Sequence, residues 1–363
     1  MFRSHWLISV LTVGLLGVGA VGAVGCDDGN GGTGGGDTSG GGGFHPPGRP
    51  SGSKPGDGTG KTIALTKIVL GTANSTAWQD LGYDLDNKVT TTTNLTDHCT
   101  PNSGGSAKDV FPDGKEGRDN AFGKKILPLV KSIAGSTNLE DSVAKAISDG
   151  SFTVMINLPT LGADKNYDPL KAFLLGGKNG TPMGAPTTWE IVPELLNGTT
   201  ADSAKVHFDT SYLTDNTWVS GEKGTVSLSL SVAGFTIALD INAALLSMKL
   251  DDTHTKATSG VIAGVLNTEA LISQIQKLAS TFSKDFCDPK NATLLSILNQ
   301  IRQNSDIMAD GSNGPGKTCD GISIGLGFEA QAVTLGPVGM KADPPEDKCA
   351  MTTSSSASTG TGM

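Results

Sequence analysis

The stretch "GTVSLSLSVAGFTIALDI" (224–241) constrains the fold more than any other part of this chain. Val226, Leu228, Leu230 and Val232 alternate with Thr225, Ser227, Ser229 and Ser231. After Ala233-Gly234 the period resumes at Phe235, Ile237, Leu239 and Ile241. Side chains along a strand point alternately to its two faces, so a period of two gathers every apolar residue on one face. Two such runs around a small-residue break predict a β-hairpin with one buried face. The segment "LLSMKL" predicts a third strand continuing the meander.

The remaining strand signals agree with a sheet protein. "KTIALTKIVLGT" (61–72), "SFTVMINLP", "TTWEIVPELL" and "AKVHFDTSYL" predict strands, and "GISIGLGFEAQAVTL" one or two more. "AFGKKILPLVKSIA" and "NLEDSVAKAISDG" predict two helices, with Asn138 capping the second. "NTEALISQIQKLASTF" carries apolar residues at helical spacing behind a Thr268 cap, and "NATLLSILNQIRQ" predicts another helix. The expected fold is α+β, a mainly antiparallel, sandwich-like β sheet with helices packed on one side, formed by a single domain over 61–347. An aromatic content of 5% with abundant Ser, Thr and Gly suits an extracytoplasmic β-rich body. The net charge of −9 argues against nucleic acid as a partner and against docking of the body on anionic lipid.

The N-terminus addresses the chain. "MFRSHWLISVLTVGLLGVGAVGAVG" (1–25) has a basic start, a continuous apolar run and a small-residue end, the layout of a secretory signal peptide. Its glycines weaken it as a permanent membrane helix. "Ala23-Val24-Gly25-Cys26" resembles the lipobox of bacterial lipoproteins, with Ala23 where leucine is usual. The resemblance implies lipidation of Cys26 as the first mature residue and anchoring in a membrane of the cell envelope, outside the cytoplasm. Residues 26–60 are rich in Gly, Ser and Pro and almost lack apolar side chains, so they are expected to form a disordered tether. The Ser/Thr-rich stretch 348–363 is expected to be a disordered tail.

Besides Cys26 the chain carries Cys99, Cys287, Cys319 and Cys349. An even remainder in an exported chain predicts two disulfides, with three possible connectivities. Sequence spacing favours Cys287–Cys319, bracketing a helix, which leaves Cys99–Cys349. Zinc fits poorly, since no two cysteines are close in sequence.

Several catalytic-looking motifs fail on their context. "GDGTGKT" (56–62) resembles a phosphate-binding loop, but Pro55 stands where the pattern needs glycine and a strand follows instead of a helix. "GISIG" (321–325) would make Ser323 a nucleophile, yet every histidine lies upstream of it. "SVAK", "TDN" and "KTC" occur in the order of the elements of serine penicillin-recognising enzymes. However, Thr214 stands where serine is usual and Cys319 replaces a glycine. No partner can be named for His207 or His254.

The acidic segments "GYDLDN" (82–87) and "PDGKEGRDN" (112–120) flank the Cys99 loop. Both place carboxylates and amides in turn-forming contexts, and calcium takes six to eight such oxygens. Asp84, Asp86, Asp113, Asp119 and Asn120 are the expected ligands of a structural calcium ion, with Glu116 as a spare; no other cofactor is expected. The competing expectation is that these residues only form turns and that Asp119 caps the next helix. The paired block resembles one in uncharacterised bacterial surface lipoproteins, a resemblance that implies no activity. The reading that follows is a non-enzymatic envelope protein, anchored in the membrane through Cys26. It binds a ligand, a glycan or an envelope protein, or serves the envelope structurally. The alternative is an exported hydrolase of cell-wall or polysaccharide substrates, whose carboxylates the sequence does not locate.

Overall fold

The computed structural model describes residues 42–134, 139–181, 188–232, 235–341 and 349. The expected signal peptide, Cys26, the expected Asn138 cap, Ala233-Gly234 and most of the expected C-terminal tail lie outside the described residues. Among those described, the strands are β1 (Lys61–Val69), β2 (Thr153–Leu158), β3 (Ala172–Lys178), β4 (Thr188–Ile191), β5 (Val206–Phe208) and β6 (Tyr212–Thr214), followed by β7 (Thr217–Val219), β8 (Gly224–Val232), β9 (Phe235–Leu250), β10 (Lys256–Asn267) and β11 (Gly321–Val338). The helices are α1 (Ala107–Val110), α2 (Leu127–Ala134), α3 (Leu139–Ser148), α4 (Thr268–Phe282) and α5 (Ala292–Gln303). The α+β, mainly antiparallel architecture is the one expected.

The strands join one continuous sheet. β1 pairs antiparallel with both β2 and β11, β2 with β3, and β3 with β4, while β4 returns parallel to β11. These five strands therefore close a ring of pairings. One apolar cluster draws Ala64, Met155, Leu175, Trp189 and Leu335 from the five in turn. Beyond the ring the sheet runs from β11 to β10 and β9, and β9 pairs with β8 along its first half and with β7 near its end.

The hairpin is β8 and β9, in the register Val226↔Ile241, Leu228↔Leu239 and Val232↔Phe235. Val226, Leu239 and Ile241 are buried, as the alternation requires. "LLSMKL", however, is no separate strand but the continuation of β9. A bulge at Ala243 (φ 47°) shifts the pairing with both neighbours and lets the strand run on.

α2 grows out of a π-helical turn at Phe122–Ile126. α4 buries Leu271, Ile272, Ile275, Leu278 and Ala279, the apolar stripe of an amphipathic helix. Its cap is Asn267, whose side chain accepts from the Ala270 N–H at 3.0 Å. Thr268, expected as the cap, is the first helical residue and shares a hydrogen bond with Ser305 instead. No described helix is long and apolar enough to cross a membrane.

Two further expectations fail. Residues 42–60 are not a loose tether but a strap on the folded body. Phe44 exchanges backbone hydrogen bonds with Glu116 and Asp84 and stacks on Tyr83 at 5.5 Å. Arg49 pairs with Asp168 at 2.6 Å, and Tyr212 donates to the Pro47 carbonyl at 2.7 Å. The strap's glycines serve close packing: a Cβ on Gly58 would stand 2.3 Å from the Leu161 carbonyl oxygen. The disulfides are Cys99–Cys319 and Cys287–Cys349, not the pairs that spacing favoured. Thr100 and Thr318 form a parallel bridge, which brings together cysteines 220 residues apart. Proximity in space overrides proximity in sequence. Two disulfides in one body mark a protein that matures outside the cytoplasm.

Candidate functional site

The acidic segments converge beside the Cys99–Cys319 bridge. The chain enters through the Asp84 N–H, which donates to the Phe44 carbonyl of the strap at 2.9 Å. A tight turn follows, in which the Lys88 N–H is shared by Asp84 Oδ1 (3.1 Å) and Asp86 Oδ1 (2.9 Å). The second segment lies antiparallel to the first. The Asp119 N–H donates to the Tyr83 carbonyl at 3.0 Å, and Asp119 Oδ2 accepts from the Leu85 N–H at 2.7 Å. Asp113 repeats the arrangement one turn away, bonding Thr90 through its own N–H (3.0 Å) and through Oδ2 (2.5 Å).

One oxygen from each of Asp84, Asp86 and Asp119 lies within 4.8 Å of the other two. Calcium–oxygen distances of about 2.3–2.6 Å let two ligands of one ion stand up to about 5 Å apart, so the three fit a shared cation. Asp113 lies beside this set. Asn120 does not belong to it, against expectation. Its amide donates to the Trp78 and Gly325 carbonyls and accepts from the Gly123 and Gly325 N–H groups, all at 2.9–3.1 Å. That exhausts an amide's capacity, so Asn120 is a brace between the start of the helical segment and β11.

Sequence reasoning missed three members of the neighbourhood. Asp306 is buried, with Oδ1 accepting from the Ser323 N–H (2.8 Å) and Oδ2 from the Ser323 hydroxyl (2.5 Å). Asn313 donates to Asp86 Oδ2 at 2.7 Å and accepts from the Cys99 N–H at 2.8 Å, which links the disulfide loop to the carboxylates. His98 stacks on Phe111 at 4.5 Å, and burial holds its pKa below the ordinary value. The only signal for the first two was the turn-rich "DIMADGSNG", far along the chain.

The electrostatics are unbalanced. Burial pushes Asp113 up to about 8 and Asp306 up to about 6, raises Asp84, and lifts Asp119 well above the usual carboxylate range; neighbouring carboxylates add to the shift in every case. Among the described residues no Lys or Arg forms an ion pair with any of them. The Arg118 guanidinium lies 3.6 Å over the Phe44 ring and bonds Glu116 instead. Asp84 Oδ2 is buried without a hydrogen bond, and the His45 imidazole Nε2 is 3.8 Å away. An orphaned carboxylate oxygen inside a group of acids is what a bound divalent cation relieves. None of the principal cavities is lined by Asp84, Asp86, Asp113, Asp119 or Asp306.

The GISIG serine and His254 have structural partners. Ser323 is fully buried, its hydroxyl committed to Asp306 and to the Ala121 N–H. His254 is buried between the Gly162 carbonyl and Asn216, both at 2.9 Å, and His207 lies exposed on β5 against Phe173. Trp78, Trp189 and Trp218 are all buried, so none offers an open ring as a sugar platform. No known family, curated protein or solved structure matches the chain.

Proposed function

We propose that this chain is a lipid-anchored protein of the bacterial cell envelope, held outside the cytoplasm by acyl groups on Cys26. Its body is non-catalytic, binds a ligand or an envelope partner, and carries a structural calcium ion on Asp84, Asp86 and Asp119, with Asp113 alongside. One observation carries this reading: a group of buried and half-buried carboxylates with which, among the described residues, no Lys or Arg forms an ion pair, and which line none of the principal cavities. A hydrolase needs carboxylates that a substrate can touch, whereas a structural cation needs them enclosed. The lipobox-like end of the apolar leader and the oxidised cysteines support the address. Calcium titration into chelator-treated protein, followed by calorimetry and thermal melting, tests the metal. The expected result is a single site and a higher melting midpoint with calcium; an identical melting curve in chelator and in calcium overturns it. Intact mass of the membrane-extracted protein tests the anchor, with acyl chains on Cys26 as the expected result and an unmodified Cys26 as the contrary one.

A further inference from the structure

Another part of the interior is lined by apolar side chains alone and is not full. Between α2, α3 and α4 on one side and β9 and β11 on the other lies a chamber of about 50 Å³ with a wholly apolar wall. Phe122, Leu127, Val143, Ile275 and Leu326 are among its lining residues. Next to it a recess of about 470 Å³ opens to solvent, and Leu127 and Leu139 belong to both walls. The two spaces are thus separated by a pair of leucine side chains, which can change rotamer without moving a helix.

The recess is chemically the reverse of the chamber. Its wall holds the Trp78 ring and the two cations Lys124 and Lys131, with no carboxylate. Lys124 Nζ lies 5.4 Å from the centroid of the Trp78 ring and donates to the Pro112 carbonyl at 2.7 Å. Glu140, at the rim, has its carboxylate engaged by the Leu70 N–H and the Thr72 hydroxyl. Two cations and part of one aromatic side chain in the recess, with a dry apolar chamber beside it, make a combination that matches one kind of molecule.

We infer that the recess and chamber together bind an anionic single-chain amphiphile, a fatty acid, with its carboxylate at Lys124 and Lys131 and its tail passing Leu127 and Leu139 into the apolar chamber. A chamber of this size takes only the end of the chain, since a cavity of about 150 Å³ is needed to hold a benzene ring. The recess takes the rest. Burial holds the Lys124 amine down at about 8, so at neutral pH it remains mostly cationic and gains from an arriving anion. This inference names the ligand of the non-catalytic reading and rests on it; no proposed calcium ligand lines either space, although Lys124 also attracts Asp306 and Asp113.

The test is fluorescence titration of the full chain with cis-parinaric acid, followed by displacement with palmitate and with methyl palmitate. The expected result is saturable one-to-one binding, displaced by palmitate at least ten-fold more effectively than by its neutral ester. The double variant Lys124→Gln/Lys131→Gln should weaken binding ten-fold or more, and Leu127→Phe, which narrows the passage, should weaken it with the lysines intact. Absence of saturable binding overturns the inference, as does equal displacement by acid and ester, or binding indifferent to both variants. Circular dichroism of each variant separates loss of the site from loss of the fold. A lipidated, calcium-dependent protein that binds no fatty acid would overturn this inference alone.

Discussion

The acidic interior beside the Cys99–Cys319 bridge and the apolar interior beneath α2, α3 and α4 are built on opposite terms. In the first, nearly every polar atom has a named partner and space is tight, yet charge is left uncompensated. In the second there is no charge to balance, and the fault is unfilled volume. The difference teaches how each should respond to change. Hydrogen bonds and charges are directional and act between particular atoms, so the acidic region depends on single residues. Burial of apolar area is non-directional, so the chamber should respond to volume alone.

The largest expected effect comes from unlinking the acidic region. Replacing Cys99 and Cys319 together by alanine opens a 220-residue loop and should cost about 2–5 kcal/mol in urea unfolding. It should also weaken calcium binding, since the bridge holds in place the Cys99 backbone N–H that anchors Asn313 beside Asp86; unchanged calcium affinity would show that the bridge and the carboxylates are independent. Next is Asp119→Asn. At calcium concentrations about 100-fold above Kd the wild type should gain about 2.7 kcal/mol over its chelated form. The variant should gain nothing from calcium, yet equal or exceed the wild type in chelator, because one unbalanced charge is gone. A variant still stabilised by calcium removes Asp119 from the ligand set.

A third, smaller effect is one of pH. In chelator, Asp113 and Asp306 have folded-state values of about 8 and about 6, above the ordinary 3.8. Below about pH 4 both folded and unfolded chains are protonated and their contribution is complete. As pH rises towards about 8 the folded state keeps protons that the unfolded chain has released, so stability falls. Urea midpoints should therefore drop between about pH 5 and pH 8.5 in chelator and drop less in calcium. A chelated protein that grows more stable over that range would contradict the account. The smallest effect belongs to the chamber: Val143→Ile adds one methylene at its wall and should change stability by less than about 1 kcal/mol. A large loss there would mean that the apolar region is as exacting as the acidic one.

What could be read in advance follows the same division. The period of two at 224–241 located a hairpin, and the helical stripe of α4 was plain, because both patterns are local. β3 and β10 gave no readable signal. β10 carries Gly260 where the ring of Phe328 covers the strand, so that a Cβ would come within 2.3 Å of it. The composition of residues 42–60 suggested flexibility, whereas those glycines make room for backbone contact with the 159–162 turn. The carboxylates Asp84, Asp86 and Asp119 were legible as oxygen-rich turns. Asp306 and Asn313 were not, because they arrive from the far end of the chain.

By itself the sequence determined the class of fold, the hairpin, the apolar run that stops before Cys26, and the oxygen-rich turns, all features written in the order of neighbouring residues. Only the tertiary structure decided which cysteines pair, that the strap belongs to the body, that Asn120 braces instead of ligating, and that charge gathers in one part of the interior and empty space in another. The physical reason is that these outcomes depend on what lies across a few ångströms of space, and closing a loop of 220 residues leaves no periodic trace in the chain that makes it.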